Sequence, residues 1–174
     1  MSMIPEKMND SRIYVNESPE IKGIGDLQLP SFDGMTETMN GAGVLGEYES
    51  ANIGHMQSMK LTINWTTTID KAMVAFYKQG SLKVDCRLAD QNYDQNASRH
   101  KFLAKRVLVH GHVIKHDFGK AAKGSPYEGS TEIEVLYIKV ESEKQVLVEY
   151  DRINYIYMVD GVDMLAELRA ALGI

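Results

Sequence analysis

"RHKFLAKRVLVHGHVIKHDF", residues 99–118, has the composition of a β-strand and several times the usual strand length of about 5 to 6 residues. At about 3.3 Å per residue, such a run extends roughly 65 Å and overhangs any single small domain. The alternative is that Gly111 marks a bulge or bend part-way along. Either way, strands this long leave N–H and C=O groups at sheet edges that must be blunted, covered or paired. The chain has few strand prolines to blunt them.

Other segments with a period of two surround this one. In "MKLTINWTT" (59–67), Leu61, Ile63 and Trp65 share one face, and Thr62, Asn64 and Thr66 the other. In "SLKVDCRLAD" (81–90), Leu82, Val84, Cys86 and Leu88 share a face, with Cys86 read as a buried, inert thiol. "TEIEVLYIKV" (131–140) and "KQVLVEYDRINYIYM" (144–158) read as a final strand pair turning around Ser142 to Lys144. "RIYVN" (12–16) and "EIKGIGDLQL" (20–29), separated by "ESP", suggest an N-terminal hairpin ended by Pro30.

Two segments change to helical spacing. In "TIDKAMVAFYKQGS" (68–81), Ile69, Ala72, Met73 and Phe76 form a stripe, Thr68 suits the cap and Gly80 the end. In residues 160–173, "DGVDMLAELRAALG", Asp160 suits the cap, Val162, Leu165, Leu168 and Leu172 the buried side, and Gly173 the stop. Between these elements, residues 33–58 carry five glycines and no period, and read as a long loop. Structureless loops of that length are uncommon and are functional or ordered by a partner. The segment 119–130, "GKAAKGSPYEGS", reads as a flexible link. The fold expected is a single mainly β domain over 1–174 with two short helices.

Composition narrows the function. The net charge of -5 and the absence of a basic stripe argue against tight nucleic-acid binding. One cysteine excludes an intrachain disulfide, and no apolar run suits a signal or a membrane anchor, so the chain is expected to be made in a reducing cytoplasm.

Candidate chemistry is sparse. Strand parity puts His110, His112 and His116 on one face, where a small metal-dependent β-barrel enzyme could hold an ion; a polar sheet face is the plainer reading. Glu132 with Glu134, and Glu149 with Asp151, are carboxylate pairs on common faces, read as solvated. "GAGVLG" lacks the strand-to-helix context of a phosphate loop, so Gly41, Gly43 and Gly46 are read as supplying backbone freedom. No catalytic residue, metal or cofactor is expected from these residues.

If each edge pairs with the next copy of the same chain, rotation by equal steps closes a ring with a hole. The residues carry a resemblance that fits. Glu149, Asp151, Asn154, Val159, then Asp160, Gly161, Val162 and Asp163, then Leu165, Ala166, Arg169 and the final "LGI" resemble the ending of the major tail tube proteins of contractile-tailed phages. "NGAGVLGE" (40–47) resembles that family's glycine-containing loop, and "GHVIKHDFGKAAKGS" (111–125) its strand, bend and glycine turn. The longer N-terminus, Met1 to Asp10, and the histidines at 110 and 112 depart from the family pattern.

The resemblance implies a β-sandwich or partial barrel whose sheets join those of neighbouring subunits into a hexameric ring barrel, with rings stacked into a tube inside a contractile sheath. Partners would be other copies of itself, the sheath protein, baseplate initiator, tape measure and tail terminator proteins, and DNA passing without specific binding. The protein would reside in the virion tail, assembled in the bacterial host cytoplasm. Residues 1–19 would be an N-terminal arm and the start of a hairpin. Residues 33–58 would clamp neighbouring subunits or rings, with Met39, Asn40, Gly41, Ala42, Gly43, Gly46 and Glu47 as contacts. His110, His112, His116, Glu132 and Glu134 would mark the lumen or sheet face. The tube subunit of a DNA-free contractile machine, a contractile bacteriocin or a type VI secretion system, has the same pattern.

Overall fold

Strand alternation carries through to the architecture, and the register of the strands produces one long, branched sheet. The computed structural model describes residues 3–17, 23–67 and 69–174, with Ala72 given by its backbone alone. The sheet runs β1 (Met3–Val15), β6 (Ser81–Asp94), β7 (Arg99–Asp117), β8 (Gly129–Ser142), β9 (Gln145–Asp151), β10 (Ile156–Val159), β11 (Val162–Asp163). Every pairing is antiparallel. β5 (Lys60–Trp65) pairs with the first half of β8, from Lys60 opposite Glu134 to Trp65 opposite Gly129, and carries β2 (Ile24–Gln28) on its other edge. β9 takes the second half of the same β8 edge, so the sheet forks along β8.

Bulges make the fork possible. His110 faces Tyr137 while Gly111 faces Val135, which leaves Leu136 as an extra residue in β8; its carbonyl accepts the Arg152 N–H at 3.0 Å. Gly111 is required there, because a Cβ would lie 1.9 Å from the Glu134 carbonyl oxygen. The bend foreseen at Gly111 is therefore real, although the strand continues through it for 19 residues.

The apolar faces close on one another. Ile13 and Val15, Leu61, Ile63 and Trp65, Leu82, Val84 and Cys86, Val107, Val109 and Val113, and Ile133, Val135 and Ile138 make one buried cluster. Each such side chain contributes about 1.5–3 kcal/mol relative to exposure. Leu88 packs against the cluster from its rim. Burial pushes the Cys86 thiol up to about 12, as expected for an inert core cysteine. Trp65 Nε1 donates to Thr131 Oγ1 at 2.8 Å, so the buried indole N–H is satisfied.

Several expectations are corrected. Residues 33–58 are not a loop: β3 (Gly34–Asn40) and β4 (Glu47–Met56) form a separate two-stranded ribbon. Every β3 residue is exposed. A ribbon wet on both faces has no reason to alternate, and so shows no period. The helix expected over 68–81 is a 3₁₀ turn (Lys71–Met73) followed by one turn, α1 (Val74–Tyr77). Met73 and Phe76 are buried, but Ile69 is 68% exposed, so two anchors support only two turns. Thr68 lies outside the described residues.

β1 and β2 do not pair with each other; β1 zips along β6 and β2 along β5. The N-terminal arm is thus largely strand. The run 144–158 breaks at residues 152–155 into β9 and β10, which pair with each other. The helix expected over 160–173 is shorter: Asp160 and Gly161, both at positive φ, turn β10 into β11, and α2 spans Ala166–Leu172. Asp160 is no cap, and Val162 and Leu172 are more than half exposed, whereas Leu165 is buried. Gly173, at φ 73°, ends α2 as expected.

Candidate functional site

The surfaces left unsatisfied by this fold are the candidate site. Among the described residues β1 has a partner only along β6, and its first eight residues are mostly exposed. Among the described residues, its outer edge stays open for the length of the strand. β7 likewise runs past β8, whose pairing starts only at Lys105; Ala104 closes the gap by donating to Glu143 Oε1 at 2.6 Å and accepting the Glu143 N–H at 2.9 Å. Among the described residues the sheet does not close into a barrel within one chain.

The β3–β4 ribbon is the second surface. Asn40 pairs with Glu47, and Gly41, Gly43 and Gly46 take positive φ in the turn between them, the backbone freedom foreseen for these glycines. Met39, Val44, Leu45, Tyr48 and Ile53 are exposed along it. Its base is fixed by the C-terminal residues. Tyr150 Oη donates to the Gly54 carbonyl at 3.0 Å, Arg152 to the Gln57 carbonyl at 2.8 Å, and the Gln57 N–H to the Asp33 carbonyl at 2.8 Å. Leu165 packs so closely on Gly54 that a Cβ there would meet its Cδ2 at 2.4 Å.

The C-terminal motif is a set of locks for this base. Asp151 Oδ1 accepts the N–H groups of Ile153 and Asn154 at 2.9 Å, and its Oδ2 the Asn154 amide at 2.6 Å, holding the turn into β10. Burial raises the Asp151 carboxyl, but these hydrogen bonds outweigh it and hold it below the usual range. Asp163 accepts the Leu165 N–H at 3.0 Å and pairs with the Arg169 guanidinium through both oxygens; Arg169 also donates to the Tyr155 carbonyl at 2.9 Å. The guanidinium holds the Asp163 carboxyl below its ordinary value. Glu149 accepts from Tyr137 Oη at 2.7 Å. Burial and this carboxylate together push the phenol well up. Asp160 Oδ1 accepts from Gln145 Nε2 at 3.2 Å.

The third surface is the face of β6–β9 turned away from the core. Lys83, Asp85 and Arg87 stand opposite His110, Leu108 and Arg106, and Arg106, Leu108 and His110 opposite Glu141, Lys139 and Tyr137. Charges alternate and pair across strands, Arg106 Nε to Asp85 at 2.7 Å and Arg106 to Glu141 at 3.6 Å, and along β8, Lys139 to Glu141 at 3.0 Å. Burial raises the Asp85 carboxyl, yet hydrogen bonds from Arg106 and Arg87 keep it below the usual range. Further along the same face, Glu132 takes Lys60 at 3.4 Å and Lys115 at 3.7 Å, and Glu134 accepts from Ser58 Oγ at 2.6 Å. His112 lies opposite Glu134, and His110 stacks on Tyr137 with ring centroids 4.6 Å apart.

His116 is not on this face, contrary to the parity argument. Val113 faces Ile133 and Lys115 faces Glu132, so Ile114 is an extra residue that reverses the alternation. His116 turns inward, Nδ1 at 2.7 Å from Thr131 Oγ1, between Phe76, Tyr77 and Phe118. The three histidines are not assembled, and no group of three or more His, Cys, Asp or Glu suited to a metal occurs among the described residues.

Sequence reasoning missed the Asp163–Arg169 lock and the seating of Leu165 on Gly54. One signal was present: Asp-Gly at 160–161 between Val159 and Val162 is a hairpin turn signature, read instead as a helix start. No helix of the described residues is long and apolar enough to cross a membrane.

Two comparisons with known proteins bear on these surfaces. The family described as phage tail tube protein FII matches residues 5–173. The chain is also similar to the tail tube protein of Escherichia phage P2, 24% identical over 175 residues that take in 98% of this chain and 99% of the relative. The relative is a tube component and the match runs nearly end to end, in keeping with a fold whose unsatisfied groups are sheet edges and an exposed ribbon. The chain belongs to the phage tail tube protein FII family, structural proteins of the virions of contractile-tailed phages.

Proposed function

We propose that this chain stacks as hexameric rings into the tube of a contractile tail and that DNA leaves the particle through the lumen. The carrying observation is the outer edge of β1, open along a 13-residue strand among the described residues. An open edge of that length templates pairing with another chain. In a ring, each copy offers its β1 edge to the next and the sheets run on from subunit to subunit. The exposed β3–β4 ribbon clamps a neighbouring subunit or ring through residues 39–47.

The charged face of β6–β9 lines the lumen in this reading. Arg87, Arg106 and Lys139 are each engaged by carboxylates of their own chain, and Lys83 alone of these four basic residues has no ion pair among the described residues, so little unpaired positive charge meets a phosphate. DNA therefore slides along this wall without adhering. The sheath protein surrounds the tube, and baseplate initiator, tape measure and tail terminator proteins set its start, length and end; assembly takes place in the host cytoplasm. Negative-stain images of the purified protein are expected to show rings or hollow tubes. A protein that stays monomeric at high concentration in the presence of its tail initiators overturns the reading.

A further inference from the structure

The tip of the β3–β4 ribbon has no cover among the described residues of its own chain. Leu45 is fully exposed, and Val44 and Tyr48 stand beside it. The ribbon is also one-sided in charge: from Asp33 to Ser58 the chain has Asp33, Glu37, Glu47 and Glu49 and no lysine or arginine. Most of the net charge of -5 sits there. At about 3.3 Å per residue, the tip stands roughly 30 Å beyond Gly54, where the ribbon is anchored.

The opposite end of the molecule has the complementary character. β5 runs away from the ribbon base, and the turn that follows it packs at the far end, Phe76 beside His116 and Tyr77 beside Phe118. Ile69, Val74, Tyr77 and Phe118 are exposed there. Lys71, Lys78, Lys120 and Lys123 frame them, all exposed and without an ion pair among the described residues. Asp70, Asp117 and Glu128 lie in the same region, Asp117 accepting the Gly119 N–H at 2.8 Å and Glu128 packed beside Gly119, so lysines exceed carboxylates four to three.

We infer that the ribbon tip of one copy seats on this patch of a second copy, with Val44 and Leu45 against Tyr77 and Phe118, and Glu47 and Glu49 facing Lys120 and Lys123. The inference rests on the tail tube reading and names the mating surface it lacks. Apolar contact supplies the affinity, and the charges fix partner and register. Because the two surfaces lie at opposite ends of one chain, the contact is head-to-tail and repeats from copy to copy without being used up.

Charge reversal tests it. E47K/E49K and K120E/K123E are each expected to lower the yield of rings or tubes at least about tenfold, and a mixture of the two to recover to within about threefold of wild type, since both surfaces of each variant then match those of the other when the two alternate. In a second experiment, L45C/A121C treated with a short bis-maleimide gives a ladder of cross-linked oligomers, the native Cys86 being buried. This pair also decides the matter if a reversal variant fails to fold, as judged by circular dichroism. Wild-type tubes accompanied by undiminished reversal variants, or by losses with no rescue, and by no ladder overturn the contact and leave the tail tube reading standing. Wild-type protein that remains monomeric with its initiators overturns the tail tube reading, and the contact falls with it.

Discussion

At the residue scale, two glycines and one histidine carry the sharpest expectations. Gly111→Ala drives a Cβ into the Glu134 carbonyl, backbone against backbone, and is expected to cost about 3 kcal/mol. For a chain of this length that lowers Tm by roughly 10 °C. Gly34→Ala, with nothing within 4 Å, is the control and should be neutral by calorimetry. Burial keeps His116 below its ordinary 6.5, and its Nε2 is buried with no partner among the described residues, so protonation would strand an N–H. Burial and then Lys83 also lower His110, with Asp151 opposing. Between the lowered values and 6.5 the unfolded chain holds more protons than the native one, so stability is fully present above about 6.5 and falls as the pH drops below it. The Tm should decline from pH 7.5 to pH 5.5, and His116→Gln should flatten part of that decline; a flat wild-type profile would refute the assignment. Gly111 was readable from the sequence because a glycine inside a long strand has few other uses. The inward turn of His116 was not, since one extra residue at Ile114 reverses parity without leaving a mark in composition.

At the element scale, the ribbon and α2 behave as attachments to the core. Asp163→Asn removes one charge from the Arg169 pair and weakens the cap on Leu165. The α2 amides are expected to exchange faster with deuterium while β6–β8 amides keep their protection; unchanged exchange in α2 would show that the pair does not hold it. Replacing residues 37–50 by Asn-Gly joins Thr36 to Ala51, which already face each other. The shortened chain should retain its Tm within a few degrees and lose ring or tube formation, by sedimentation and microscopy. Tubes formed by it would remove the ribbon from the assembly contact. The strands β5, β6 and β8 were legible because one buried face imposes a period of two. The ribbon was not, because a hairpin exposed on both faces obeys no such rule, and α1 was overextended because Ile69 matches the helical spacing yet points to water.

At the scale of the whole molecule, the open border of β1 is the feature with consequences. Removing Met1 to Asp10 leaves Ile13 and Val15 in the core and strips the overhanging part of the edge. The truncated chain is expected to keep its far-ultraviolet spectrum and to sediment as a monomer under conditions where the full chain assembles; assembly at the full rate would show that closure uses another border. The amino-acid sequence by itself determined the mainly β class, the core faces of β5, β6 and β8, the bend at Gly111 and the likeness to tail tube proteins, since these depend on local alternation, steric demand at one backbone position and residue identity in short blocks. Only the tertiary structure decided that β1 zips to β6 instead of β2, that the glycine-rich stretch is a ribbon seated on Leu165, and which side of the sheet His116 faces. Those outcomes depend on register between strands far apart in the chain, and a single bulged residue changes register while leaving every local pattern intact.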